Sequence, residues 1–170
     1  MTDKTDIRNK VYDIIKGFSN AMLVSLGPSG RPTARPMHVA HLEHIDEDLG
    51  SIWFFTSKGG ALVDEVAKEP VVLLAFQNEN SAYVSLRGRA RVVENREKIR
   101  SLFKEPYKVW FPAGDEDPDV VLLAVDPIDA EYWDNRGMNK LEYMFEAAKA
   151  YVKGEKPDVA GIDQHAKTNL

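Results

Sequence analysis

A mainly β fold, a small antiparallel barrel with flanking helices, follows from the way this sequence is punctuated. Six or seven strand-like segments are separated mainly by hairpin-length turns. The helical segments fall among them irregularly rather than after every strand, which argues against a doubly wound sheet. With 170 residues and no cysteine, the chain is long enough for one domain, 1–170, whose core needs neither disulfide nor metal.

Ile7, Val11, Ile14, Ile15 and Phe18 recur at helical spacing, so residues 3–18 predict an amphipathic opening helix that weakens at Gly17. Residues 20–27 are short and apolar, and Gly27-Pro28-Ser29-Gly30-Arg31-Pro32 is dense in turn formers; together with residues 33–42 they predict a β-hairpin. Pro36 inside the returning strand predicts an edge, a bulge or a break in pairing. Residues 52–56, rich in aromatic and β-branched types, predict a third strand that stops at Ser57-Lys58-Gly59-Gly60. A short helix over 61–68 follows and halts before Pro70. Its start would aim unpaired N–H groups at the same polar cluster.

Residues 71–76 are apolar throughout, as expected of a strand covered on both sides. A turn at 77–80 leads into a long alternating strand that puts Ala82, Val84, Leu86, Gly88, Ala90 and Val92 on one face. Tyr83, Ser85, Arg87, Arg89 and Arg91 lie on the other. That arginine row reads as a solvated face or a subunit contact, or else as a ligand-binding stripe. Asn95 predicts the N-cap of a helix reaching about Lys104. Residues 106–118 are irregular and carry Trp110-Phe111, two aromatics that want cover from the core, an interface or a ligand. Strands are predicted at 120–125 and 130–133 around Asp126-Pro127, and an amphipathic helix at 141–152 before a polar tail.

Composition removes several chemistries. Without cysteine, thiol catalysis and zinc–thiolate sites are excluded. A net charge of -5, from 22 Lys+Arg against 27 Asp+Glu, disfavours a general nucleic-acid binder. No stretch approaches the ~20 apolar residues of a membrane span, and the first residues lack a signal peptide's apolar centre, so a cytoplasmic protein is expected. His38, His41 and His44 recur every three residues. On a strand that spacing turns neighbours to opposite faces, so no metal site is expected. Asp115, Glu116, Asp117 and Asp119 lack the spacing of a calcium loop. Nucleophile-elbow, P-loop and dinucleotide glycine motifs do not occur.

What remains is a pairing of Arg35-Pro36-Met37 with Trp53-Phe54-Phe55-Thr56-Ser57-Lys58-Gly59. The apolar members suit the face of an aromatic ring system, and Arg35, Thr56, Ser57 and Lys58 suit an anionic tail. Two ordinary strands with polar ends would read the same way. The wider pattern narrows the choice. Thr33-Ala34-Arg35-Pro36-Met37, Trp53 to Lys58, Trp110-Phe111-Pro112-Ala113-Gly114 with Asp117-Pro118-Asp119, Ala130-Glu131-Tyr132-Trp133-Asp134, and Lys153-Gly154-Glu155-Lys156-Pro157-Asp158 stand in this order along nearly the whole chain. In that order they resemble the general stress protein group of the pyridoxamine 5′-phosphate oxidase-like split-barrel flavoproteins.

The resemblance implies a six-stranded antiparallel split barrel of the FMN-binding type, with an N-terminal helix and a C-terminal helical tail. It implies a homodimer with two FMN molecules in grooves between the subunits. Carried over, Arg35 meets the phosphate; Arg35, Pro36 and Met37 border the isoalloxazine; Phe54, Phe55, Thr56 and Ser57, with Lys58, form the second wall; and Trp110 closes the groove from the other chain. It implies an oxidoreductase in which the flavin performs the redox step, so no catalytic side chain is named and the small-molecule redox partner is open. The other reading is a non-catalytic protein that binds or sequesters a flavin, a haem or a deazaflavin, and a third is an empty scaffold serving dimer contacts.

One departure bears on the cofactor. The pattern commonly carries a serine and then a lysine near the start of the helix after Thr-Ser, where this chain has Gly60 and Leu62. A lost charge-assisted contact is worth on the order of 1.5–3 kcal/mol. Weaker FMN binding, or a preference for FAD, riboflavin or another ligand without that phosphate, is the expectation.

Overall fold

The computed structural model describes residues 4–45, 48–77, 82–134 and 165–170. The predicted helix at 141–152, the tail after it and most of the 77–80 turn lie outside these residues. Helix α1 spans Lys4–Ile15, α2 Ala61–Lys68 and α3 Arg96–Leu102. The strands are β1 Asn20–Leu26, β2 Pro32–Ile45, β3 Asp48–Ser57, β4 Val71–Gln77, β5 Ala82–Val93, β6 Val120–Asp134 and β7 His165–Asn169. They join in the order β3-β2-β1-β4-β5-β6-β7, and β6 returns to pair with β3. All pairings are antiparallel. The result is a closed six-stranded barrel with three flanking helices among the described residues, and β7 as an added strand on β6.

Two apolar clusters explain the closure. The interior gathers Leu23, Ile52, Phe54, Leu74, Phe76, Leu86, Leu123 and Tyr132, joined by Val11, Ile14 and Ile15 of α1 and Leu62 and Val66 of α2. Outside the barrel, α3 places Ile99 over Trp53, Val120, Leu122 and Ala124. The continuous apolar run covered on both faces is therefore 120–125 of β6. It is not 71–76 of β4, where Val72, Leu74 and Phe76 are buried but Leu73 is 38% exposed. No described helix lies over the outer face of β4 as α3 lies over β6, so the expectation of double burial falls there.

Other expectations are corrected too. The two strands predicted around Asp126-Pro127 are one strand, β6. A register shift opposite Arg87 and Gly88 absorbs the proline instead of ending the strand. Gly88 is needed at that shift, because a Cβ there would lie 2.5 Å from Val125 Cγ1 and 2.9 Å from the Asp126 carbonyl oxygen. β7 was not foreseen. Asn95 caps α3 as predicted, its Oδ1 accepting from the Lys98 N–H at 3.0 Å. The arginine row of β5 is outward and partly neutralised: Arg87 pairs with Asp129 and Arg91 with Asp126.

Pro36 does not break pairing with β1, whose register runs unbroken from Asn20↔His38 to Leu26↔Pro32. The Val39 N–H donates to Ser19 O on the β1 side. By strand alternation the Pro36 nitrogen turns to the opposite edge, where no ladder hydrogen bond is lost. That edge is open: β2 pairs with β3 only over Val39↔Phe54 and the pairs leading to Ile45↔Asp48. Residues 55–57 of β3 pair with β6 alone. The barrel is thus unzipped between β2 and β3 at the end where the two sequence motifs lie. Among the described residues, no helix is long and apolar enough to cross a membrane.

Candidate functional site

A cleft of about 360 Å³ fills this open seam. Pro36, Met37 and His38 form one wall, Phe55, Thr56 and Ser57 the other, and Asn20, Tyr107, Trp110 and Phe111 complete it. Strand alternation decides which side chains arrive. Phe54 points into the barrel core with no exposure, and its neighbour Phe55 points out to the cleft.

The outer part of the cleft is an aromatic cluster. The Phe55 ring lies 5.0 Å from Tyr107, 5.5 Å from Phe103 and 6.4 Å from Phe111. Tyr107 meets the His38 ring edge-on at 5.5 Å. Burial pushes the Tyr107 phenol above its ordinary value. His38 Nδ1 and Asn20 Oδ1 are 3.2 Å apart. Trp110 is 64% exposed at the mouth and lines the cleft of its own chain. Large apolar surface standing free beside a concave wall of rings suits a flat aromatic ligand.

The expected anion-reading groups are placed differently. Arg35 lies off the cleft lining, its Nη2 2.6 Å from Glu65 Oε2. Glu65 is buried and also accepts from the Ser25 hydroxyl at 2.6 Å. Lys58 Nζ is 2.6 Å from Glu94 Oε2. The Ser57 hydroxyl donates to Asp119 Oδ2, and the Gly59 N–H donates to Asp119 Oδ1 at 2.9 Å. First the Ser57 hydroxyl, then the Gly59 N–H, holds the Asp119 carboxyl below the usual carboxylate range. Gly60 caps α2 with no side-chain bond, and Leu62 is 3% exposed in the barrel core.

Of the nine residues expected from the resemblance, the cleft brings together Pro36, Met37, Phe55, Thr56, Ser57 and Trp110. Arg35, Phe54 and Lys58 stand apart from its lining. Asn20, His38, Tyr107 and Phe111 were missed as site residues. For His38, Tyr107 and Phe111 the signal is contiguity: His38 follows Met37, and Tyr107 and Phe111 bracket Trp110 in sequence. Among the described residues no group of three or more His, Asp or Glu is placed to hold a metal ion. His44 stacks on Tyr12 with ring centroids 4.0 Å apart.

Comparison with known proteins gives four findings. The family described as pyridoxamine 5′-phosphate oxidase like matches residues 6–158. General stress protein 26 of Bacillus subtilis (strain 168) is 28% identical over 131 residues, covering 75% of this chain and 88% of that protein. Among solved structures, a chain from Jannaschia sp. CCS1, proposed to be a general stress protein 26, is 26% identical with a TM-score of 0.71 and covers 97% of this chain and 99% of its own. A structure from Xanthomonas citri, described as a general stress FMN/FAD binding protein, is 27% identical with a TM-score of 0.65, over 79% of this chain and 92% of its own.

Proposed function

The chain belongs to the pyridoxamine 5′-phosphate oxidase like family, in its general stress protein group, and from that premise we propose that it is a flavoprotein. It holds the isoalloxazine of FMN in the β2–β3 cleft and acts as an oxidoreductase. The observation that carries this reading is the opening of the barrel seam into a cleft walled by Phe55, Tyr107, Trp110 and Phe111 on one side and by Pro36 and Met37 on the other. The similarity to a chain described as FMN/FAD binding supports it.

The residues fit the ring system. A cleft of about 360 Å³ falls within the range of small-molecule sites, and its aromatic walls exclude water from a planar ligand. Thr56, Asn20 and His38 offer hydrogen bonds at its margin, and Ser57 an acceptor oxygen. When bound, a flavin supplies reversible two-electron chemistry. The chain binds and orients the ring, and Tyr107 adds a phenol donor to the lining.

We also propose the homodimer that the resemblance implies. Support comes from the outer barrel face, where Met22 is 42%, Leu26 38%, Leu73 38% and Tyr83 37% exposed. Through the pair Met22↔Pro36 this face runs into the cleft wall, so a second copy seated on it borders the ligand. Large contiguous apolar surface of this kind marks interaction sites.

The test is the visible spectrum of the purified protein, followed by titration with FMN and riboflavin read by quenching of flavin fluorescence. Flavin bands or saturable quenching are expected, and their absence with both ligands would sink the proposal. Anaerobic reduction by NADH or NADPH and reoxidation by candidate acceptors then separates an enzyme from a storage protein; failure of every donor selects the latter.

A further inference from the structure

Ser57 lines the aromatic cleft, yet its hydroxyl and the cations expected to read an anion are already engaged. Its hydroxyl donates to Asp119 Oδ2, and Asp119 Oδ1 accepts the Gly59 N–H at 2.9 Å. The nearest residue with a cation, Lys58, is held by Glu94, and Arg35 is held by Glu65, both at 2.6 Å. Three carboxylates therefore answer two cations among these groups. A phosphate dianion entering here meets the Asp119 carboxylate and finds the Ser57 hydroxyl, the Gly59 N–H, Lys58 and Arg35 already engaged.

Asp119 is no passing contact. Its own carbonyl accepts the Lys58 N–H at 2.7 Å, and its N–H donates to Asp117 Oδ1 at 2.9 Å. Arg96 clamps the same loop from below, its guanidinium donating to the carbonyls of Asp115 at 3.3 Å, Asp117 at 2.9 Å, and Val120. The bonds from Ser57 and Gly59 favour its charged form. The two oxygens of this exposed carboxylate take one hydroxyl and one backbone N–H, donors of the kind an anionic ligand oxygen would use.

Resting on the flavin reading of the cleft, we infer that Asp119 is a specificity-determining residue: it stands in for an anion, so that the cleft recognises a flavin by its ring and gains little from a 5′-phosphate. Leu62 sharpens this, because the position where the wider pattern has a lysine is buried in the core and supplies no charge in compensation.

The experiment compares dissociation constants of FMN and riboflavin, by fluorescence quenching at one ionic strength, for the unsubstituted chain, Asp119→Asn and Asp119→Ala. In the unsubstituted chain the two ligands are expected within about tenfold of each other. Removing the carboxylate is expected to move the ratio toward FMN by about tenfold or more, the size of one charge-assisted contact. The ratio is taken within one protein, so a variant that folds less well lowers both affinities and leaves the ratio readable. A preference for FMN above about a hundredfold in the unsubstituted chain, or a ratio that neither substitution moves, overturns the role of Asp119 while leaving the cleft as a flavin site. Absence of binding to both flavins by the unsubstituted chain overturns the cleft reading and this inference with it.

Discussion

At the residue scale, Arg35 shows how a motif is recast by its neighbours. In Arg35-Pro36-Met37 it reads as a phosphate ligand; in the fold it satisfies Glu65, a carboxylate with only 7% of its side chain exposed. Ionised groups are kept that far from water only when paired. Arg35→Ala leaves Glu65 with the Ser25 hydroxyl alone, and a loss of about 1–3 kcal/mol in chemical denaturation is expected. Restoring a neutral partner with Arg35→Ala/Glu65→Gln should recover part of it. A selective loss of FMN over riboflavin at unchanged stability would instead assign the guanidinium to the phosphate.

At the element scale, α3 is fastened to β3 by charge stacked on a ring. Lys98 Nζ sits 4.1 Å from the Trp53 ring centroid and 2.8 Å from Glu43 Oε1, and Arg91 lies over the same ring at 5.4 Å. Burial alone pushes the Glu43 carboxyl up, but the bond and charge of Lys98, then the Trp53 and Ser51 N–H groups, outweigh it and leave it below its ordinary value. Asp126 is lowered in the same way, burial opposed by Arg91 and the Ser51 hydroxyl. For depressed carboxyls the unfolded chain binds protons more readily than the native one, so their stabilisation is complete above the unfolded pKa and is lost as the pH falls through the folded one. Melting temperature is therefore expected to hold near neutrality and to fall below about pH 4.5. Lys98→Met should flatten that acid limb, and an unchanged limb would remove Glu43 from the account.

At the scale of the whole molecule, the exposed apolar face and the cleft form one surface. Leu73 sits in the middle of that face, paired with Val24 on one side and Arg87 on the other. Leu73→Asp puts a charge where a second copy is proposed to pack, and charged groups are excluded from interface centres. Light scattering is expected to give a dimer for the unsubstituted chain and a monomer for the variant, with flavin affinity lowered about tenfold or more. A monomeric unsubstituted chain that binds flavin as tightly as the dimer is expected to would show that the cleft is complete within one subunit.

Local pattern made much of this chain legible. Alternation placed Ala82 to Val92 correctly on two faces, turn residues bounded the β1–β2 hairpin, and Ala61–Lys68 emerged as a helix, because periodicity and punctuation act over a few neighbours and are written in sequence. Order along the chain carried the family. What the sequence left undecided depends on partners far away in it: that 120–125 rather than 71–76 is covered on both faces depends on where α3 docks, and that Pro36 costs nothing depends on which edge of β2 lies open. The tertiary structure alone decided the fate of the charged groups, since Glu65 reaches Arg35 and Asp119 reaches Ser57 only after the barrel closes. Whether a cation is free to meet a ligand is settled by the nearest opposite charge in space.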